Sequence, residues 1–155
     1  MSRFEVSILK TLSNEGGLAD NSNDRGGLTN YGISQRSFPD LDIRNLTKEQ
    51  AVQIYKEQYW KNLYSQIDSQ DIADKIFDIG VLFGVGRAVK YLQFALGVTV
   101  DGAFGPNTLA ELNSSDPIKV LTDYKTVLVE HVIQIGQNDP SQQQFVRGWL
   151  RRINS

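Results

Sequence analysis

The chain has no cysteine and only one histidine in its 155 residues. Without cysteine it forms no disulfide, thiolate nucleophile or thiolate metal site, and cysteine usage leaves its redox compartment undetermined. His131 has no serine or cysteine partner pattern and belongs to no cluster with metal-ligand spacing. We therefore expect His131 to be structural, and the sequence predicts neither a metal nor another cofactor.

A strong charge of one sign and a long apolar run are also lacking. The formal net charge of -2 provides no general attraction for nucleic acid. The most apolar stretch, residues 76–85, contains Asp78 and is too short to span a bilayer. The N-terminus is amphipathic, so no secretory signal is visible. We expect no nucleic-acid partner and no stable membrane insertion.

What the chain does have is a carboxyl group, Glu15, at the end of a predicted helix. Apolar residues recur every fourth position and predict a helix over residues 2–14, whose start, Ser2-x-x-Glu5, has the form of a capping box. Glu15 follows Ile8 by seven residues, which places it within about 20° of the same apolar stripe. Partial burial would raise the pKa of Glu15, as a general acid near neutral pH requires.

A second carboxyl group, Asp24, lies in a loop rich in Asn, Ser and Gly, where solvent and hydrogen bonds would keep it ionised. One neutral and one ionised carboxyl group are the pattern of glycoside hydrolysis, with an acid for the leaving oxygen and a base or nucleophile across the sugar. Thr29 would hold a water. Spacing alone leaves an alternative open, in which Glu15-Gly16-Gly17 is only a helix end and the acidic loop a solvated turn.

The run from Glu15 to Ile33, E-G-G-L-A-D-N-S-N-D-R-G-G-L-T-N-Y-G-I, resembles a family signature. That signature is E-G-G-Y-x-N-D-x-x-D-x-G-G-x-T-x-Y-G-I of the glycoside hydrolase 108 family of phage and bacterial N-acetylmuramidases. Further matches cover nearly the whole chain: Tyr55, Tyr59-Trp60, Phe77-Asp78, Arg87-Ala88 through Leu92-Gln93, Asp101-Gly102, Gly105-Pro106, Thr108-Leu109, Gly148-Trp149-Leu150 and Arg152.

This resemblance implies a mainly α, lysozyme-like fold with a small polar or β-like region near residues 18–34. It implies a bacteriolytic muramidase of the phage endolysin or bacterial secretion type, which cleaves the β-1,4 bond between N-acetylmuramic acid and N-acetylglucosamine. Glu15 would be its acid. The order Glu15, Asp24, Thr29 also resembles the catalytic triplet of phage-type lysozymes, apart from a one-residue difference in the last spacing, and suggests that Asp24 and Thr29 activate a water with inversion.

The chain departs from the family pattern at two positions. Leu18 stands where an aromatic residue usually follows E-G-G, which removes a sugar-stacking surface near the acid. Leu82 stands where the family usually has asparagine in a V-N-x-G stretch, and this puts a hydrogen bond to the glycan or its peptide in doubt. Neither departure affects Glu15, Asp24 or Thr29.

Further helices are expected at 47–63, 71–83, 87–96, from Pro106, 117–135 and 140–153, with Gly84-Val85-Gly86 as an interruption. Residues 92–109 are similar to the L-Q-x-x-L-G-x-x-x-D-G-x-F-G-x-x-T motif of helical peptidoglycan-binding modules. We therefore expect a catalytic part over 1–70 and a wall-binding part over 71–155, packed as one compact unit. The candidate substrate-binding residues are Tyr31, Trp60, Asp78 and Gln93.

Some of these candidates have a structural alternative. The aromatic stripe that contains Trp60 is more often core than ligand platform, and Asp78 fits a buried structural carboxylate as well as a groove-lining group. Phe145, Trp149 and Ile153 share one face of the last helix and should be core. Arg147, Arg151 and Arg152 suit the end of that helix, although they could also meet the carboxylates of peptidoglycan stem peptides.

The predicted partner is the peptidoglycan glycan strand. A protein made in the cytoplasm without a signal peptide would reach the periplasm or cell wall through a holin, a secretion system or lysis. Two rival functions remain open. A noncatalytic wall-binding protein would need no turnover, and a lytic transglycosylase would use Glu15 as both acid and base, without Asp24.

Overall fold

A computed structural model describes residues 1–14, 18–20 and 27–155. The fold is mainly α, as predicted, and a small antiparallel sheet accompanies the helices. None of the described helices is long and apolar enough to cross a membrane. The helices are α1 Phe4–Asn14, α2 Lys48–Tyr59, α3 Gln70–Phe83, α4 Val85–Leu96, α5 Pro106–Ser114, α6 Pro117–Asn138 and α7 Gln143–Asn154; the strands are β1 Ala19–Asp20, β2 Leu28–Asn30 and β3 Ile33–Ser34.

The predicted capping box at the start of α2 is confirmed. The Gln50 amide donates to Thr47 Oγ1 at 3.2 Å, and the Thr47 amide donates to Gln50 Oε1 at 2.9 Å. Helix α2 ends at Tyr59, earlier than the expected residue 63, and a 3-10 helix covers Asn62–Gln66. The tighter helix turns the chain towards α3.

The start of α1 differs from the prediction. The helix begins at Phe4, and the Ser2 hydroxyl donates to the Ile67 carbonyl at 2.6 Å instead of capping its own helix. The Ser2 amide likewise donates to the Ser65 carbonyl at 3.0 Å. A tertiary contact therefore uses the group that the local pattern assigned to a cap.

The glycine interruption after α3 is a single residue rather than three. Gly84 has φ 97°, and its amide donates to the Gly80 carbonyl at 2.9 Å, whereas Val85 and Gly86 are already helical in α4. A positive φ favours glycine because a Cβ would strain the backbone. Gly97 ends α4 in the left-handed conformation, with φ 74°. This confirms the predicted stop.

Aspartate caps begin α6 and the short 3-10 helix that precedes α7. The Asp116 side chain accepts from the Ile118 amide before α6. The Asp139 side chain was the predicted cap before Pro140, and it accepts from the Ser141 amide. Helix α6 runs to Asn138, three residues beyond its predicted end. Pro140 opens a short 3-10 helix, so α7 starts at Gln143 rather than at Pro140.

The sheet has the order β1-β2-β3 and lies in the region where a β-like segment was expected. Thr29 pairs with Ala19 on one side and with Ser34 on the other. Tyr31 and Gly32 connect β2 to β3, and both have positive φ, 51° and 77°. Two-residue hairpins with both central residues at positive φ match the right-handed twist of the strands.

Two groups of buried residues form the core, and α3 lies between them. One group is contributed mainly by α3 to α7, and the other by α1, α2 and the segment around β3. Every residue from Ile72 to Gly80 of α3 is buried. Trp60 packs against both groups, with its ring 5.7 Å from Phe4, 5.5 Å from Tyr64 and 5.7 Å from Phe77. Trp60 therefore connects the two core groups.

Candidate active site

A groove of about 510 Å³ lies between the sheet and the helical C-terminal half. Residues from both halves line it. Its lining residues are Thr29, Gly32, Ser34, Arg36, Ser37, Tyr59, Val81, Leu82, Phe83, Gly84, Arg87, Ile135, Gln142, Phe145 and Trp149. A volume of this size is within the range of about 300–1,000 Å³ that is usual for ligand sites.

Of the three predicted catalytic residues, Thr29 is described, and it lines this groove. Its position is set by the central strand β2, where it is paired on both sides and partly buried. Glu15 and Asp24 lie outside the described residues. Helix α1 ends at Asn14, and Asp20 of β1 pairs with Leu28 of β2.

Helix α1 is tied to α3 by two hydroxyl groups one turn apart. Ser7 Oγ donates to Asp74 Oδ1 at 2.6 Å, and Thr11 Oγ1 donates to Asp78 Oδ1 at 2.8 Å. All four residues are buried. These bonds hold the end of α1 against the central helix, four residues before Glu15.

The carboxylate of Asp78 is occupied by structural partners. Arg152 Nε donates to Asp78 Oδ2 at 2.8 Å and Arg152 Nη2 donates to Oδ1 at 3.0 Å. Asp78 does not line the groove. It lies at a separate cavity of about 450 Å³, together with Lys10, Asp74 and Lys75. The described contacts therefore favour the structural alternative for Asp78 over substrate binding.

Gln93 is also held inside the fold. Its Nε2 donates to Asp101 Oδ1 at 2.9 Å and to the Ala103 carbonyl at 3.0 Å, while its Oε1 accepts from the amides of Asp101 and Gly102. The pKa of Asp101 is lowered by its bond from the Ala103 amide and then by the Gln93 amide. Gln93 thus fixes the Asp101-Gly102 turn, and the residue is 1 % exposed.

The two aromatic candidates from the N-terminal half do not line the groove either. Trp60 is packed between the two core groups, so the groove aromatic of this segment is Tyr59, one residue earlier. Tyr31 is partly buried, and its carbonyl accepts a hydrogen bond from the Tyr55 hydroxyl, which supports the hairpin turn. A one-residue step changes which helix face a side chain occupies.

Sequence patterns missed several groove residues in the C-terminal half. Phe145 and Trp149 were expected in the core, but both are only partly buried and line the groove; Ile153, on the same face, is fully buried. The departure at Leu82 also falls in the groove lining. The resemblance at Gly148-Trp149-Leu150 was a signal for Trp149, but periodicity alone classified it as core.

The basic residues of α7 differ in burial and in their partners. Arg152 pairs with Asp78, whereas Arg147 and Arg151 are exposed and are not among the groove residues. Among the described residues, the cations that line the groove are Arg36 and Arg87. Arg36 follows β3 and Arg87 lies in the first turn of α4, so neither was visible as part of a basic cluster.

His131 has the structural environment that was expected. Its Nδ1 is hydrogen-bonded to the Tyr91 hydroxyl, and its ring packs edge-on against Phe83 with centroids 5.5 Å apart. Burial, and then the nearby Arg87, lowers the pKa of His131 below 6.5. The neutral imidazole therefore belongs to the packing behind the groove.

The chain matches two family models in succession. Residues 8–84 match the model described as glycosyl hydrolase 108, and residues 87–154 match the model described as a predicted peptidoglycan domain. The groove takes lining residues from both matched segments, Thr29 to Gly84 from the first and Arg87 to Trp149 from the second.

Solved structures include a relative of the same fold. The structure of SagA from Brucella abortus is 26% identical, with a TM-score of 0.85, and the match covers 97% of this chain and 89% of that one. A search of curated proteins finds no match. Together with the two family models, this similarity shows that the chain belongs to the glycosyl hydrolase 108 family, as a peptidoglycan hydrolase that acts at the cell wall.

Proposed function

We propose that the protein is an N-acetylmuramidase, which hydrolyses the β-1,4 bond between N-acetylmuramic acid and N-acetylglucosamine. The observation that carries this proposal is the position of Thr29. This last member of the Glu15, Asp24, Thr29 order lines an open groove to which both family segments contribute. Such a groove can accept a polymer along its length, as cleavage inside a glycan strand requires.

In the proposed reaction, Glu15 donates its proton to the glycosidic oxygen as the bond to the anomeric carbon of muramic acid breaks. Asp24 accepts a proton from a water that Thr29 helps to hold, and the resulting hydroxide attacks that carbon from the opposite face. One water is added across the bond, and the configuration is inverted. No metal or other cofactor takes part in these steps.

We assign the catalytic chemistry to residues 1–70 and wall binding to residues 71–155. The three proposed catalytic residues lie in the first part, whereas the aromatic and basic residues of α4 and α7 extend the groove from the second. The partner is the peptidoglycan glycan strand. A holin pore, a secretion system or cell lysis would bring the enzyme to it.

Mass spectrometry of the soluble products from purified peptidoglycan tests the reaction. We expect the wild type to release fragments with reducing N-acetylmuramic acid ends, and Glu15→Gln to release none. Glu5→Gln is the matched control, because Glu5 is an exposed carboxylate on α1 and should be dispensable. Products lighter by one water, with anhydro ends, would instead identify a lytic transglycosylase.

The stereochemistry tests the role of Asp24. Proton NMR recorded during early turnover should show the inverted anomer of the product first. The Asp24→Asn variant should form no product. Thr29→Val should lower kcat by about 10- to 100-fold, because the water loses one hydrogen-bonding partner. Initial formation of the retained anomer would refute the inverting mechanism and assign Asp24 a nucleophilic role.

A further inference from the structure

The described lining of the groove contains two charged residues, and both are arginines. Arg36 lies beyond β3 and Arg87 in the first turn of α4, and both side chains are exposed. This contrasts with the whole chain, whose formal net charge is -2. The described part of the groove lining therefore carries two positive charges, which the overall composition does not predict.

The start of α4 positions one of the two arginines. Gly84 lines the groove and precedes α4 without a side-chain cap, so the first peptide N–H groups of the helix have no capping side chain. The partial positive charge of this N-terminus is opposed by the partial negative charge of the C-terminus of α3, which ends at Phe83. Arg87 belongs to the first turn of α4, so the charge at this end of the described lining comes from its guanidinium.

An aromatic surface borders the arginines on the side of α7. Trp149 packs against Phe145 at 5.9 Å with an interplanar angle of 31°, and against Phe83 at 5.3 Å with an angle of 71°. All three line the groove and are only partly buried. Packing holds their ring planes in place, so they offer a preformed apolar surface to a ligand.

The chemistry of the substrate decides which part of it fits this surface. The sugars of the glycan backbone offer hydroxyl and acetamido groups. The stem peptides attached to muramic acid carry carboxylates. A guanidinium binds a carboxylate through two parallel hydrogen bonds. We propose that Arg36, Arg87 and the Trp149 surface form a subsite for a stem-peptide carboxylate. This inference rests on the proposed muramidase function. The preferred substrate is then glycan whose stem peptides carry free, unamidated carboxylates.

Binding tests the subsite independently of turnover. The probes are a reduced disaccharide tripeptide from peptidoglycan and the same compound with its carboxylates chemically amidated. By isothermal titration calorimetry, the wild type should bind the free form about five- to tenfold more tightly, the range expected for a charge-assisted contact at a partly exposed site. Arg36→Gln and Arg87→Gln should each reduce this preference to less than about twofold.

Arg147→Gln is the matched control. Arg147 is an exposed arginine on α7 that does not line the groove, so its removal alters the charge of the protein by the same amount without touching the subsite. The Arg147→Gln variant should keep the wild-type preference. Equal affinity of the wild type for both probes, or an equal loss of preference in all three variants, would overturn the proposal.

Kinetics separate this inference from the proposed function. With peptidoglycan in its free and amidated forms, the wild type should show a higher kcat/KM on the free form, and Arg87→Gln should lower that value mainly through KM. Cleavage of both forms at equal rates would refute the proposed subsite but would still support the proposed muramidase activity. Preferential binding without any cleavage would overturn the muramidase and leave a subsite for stem carboxylates.

Discussion

Arg152 of α7 and Asp78 of α3 form a two-bond ion pair across 74 residues of sequence. Both side chains are nearly buried, at 10% and 7% exposure. Because Asp78 also accepts from Thr11 of α1, one carboxylate connects the first helix, the central helix and the last helix. The pair joins the C-terminal segment to the helix that leads to Glu15.

Breaking this pair should destabilise the protein strongly. Arg152→Met leaves the Asp78 carboxylate buried without its cation, and we expect a loss of about 3–5 kcal/mol in the free energy of unfolding. Urea titration followed by circular dichroism measures the loss. Arg151→Met, an exposed neighbour on α7, should change stability by less than about 0.5 kcal/mol. Similar losses in both variants would contradict a specific role for the pair.

Gly84 should tolerate no side chain without strain. Its φ is 97°, and a Cβ would meet nothing within 4 Å, so the cost comes from the backbone alone. We expect Gly84→Ala to lower the free energy of unfolding by about 1–2 kcal/mol. Gly86 has equally open surroundings but lies inside α4, so Gly86→Ala should raise stability by about 0.5–1 kcal/mol. Thermal melts of both variants measure these changes. Melting temperatures that shift in the same direction in both variants would contradict the prediction.

Two buried tyrosines should respond differently to loss of the hydroxyl. Tyr124 Oη donates to the Ala88 carbonyl at 2.9 Å, whereas Tyr64 Oη has no hydrogen-bond partner within the described part of the chain. We expect Tyr124→Phe to cost about 1 kcal/mol and Tyr64→Phe to be neutral or stabilising. Chemical denaturation at pH 7 measures both. A larger loss for Tyr64→Phe would show that its hydroxyl has a partner.

The same tyrosines should make the protein sensitive to alkali. Burial raises the pKa of both Tyr64 and Tyr124 above the ordinary value of 10.0. Above about pH 10 the unfolded chain releases phenolic protons that the folded chain retains, so the free energy of unfolding falls as pH rises. Melting temperatures between pH 9 and 11 should fall less steeply in Tyr64→Phe than in the wild type. An unchanged slope would contradict this cause.

Lys75 should act in the opposite direction at lower pH. Burial lowers its pKa from 10.5 to about 8, although the nearby Asp78 opposes the shift. Between about pH 8 and 10.5 the unfolded chain holds more protons on this residue, so its contribution makes stability rise with pH. Over this pH interval, the melting temperature of the wild type should therefore rise relative to that of the Lys75→Met variant. A constant difference would refute the lowered pKa.

Local patterns in the sequence were sufficient to place most helices and some of the residues that start or stop them. The Thr47 capping box, the Gly97 stop and the Asp139 cap each depend on residues within a few positions, so spacing alone identifies them. The mainly α fold and the small β region near 18–34 followed from these patterns together with the family resemblance. The catalytic assignment of Glu15 and Asp24 stays a prediction.

Contacts between distant segments decided the remaining features. Periodicity could not choose between Tyr59 and Trp60 for the groove, because both lie near the end of one helix and their roles depend on what packs against each face. The structural role of Asp78 depends on Arg152, which lies 74 residues away in the sequence and beside it in the fold.

The sequence by itself determined the approximate positions of most helices and the family motif that the chain carries, because these depend on neighbouring residues. Only the tertiary structure placed Arg36, Arg87 and Trp149 in the same groove as Thr29. These residues come from four separate segments, and the free energy that brings them together is spread over two core groups of buried side chains. No short stretch of sequence contains that information.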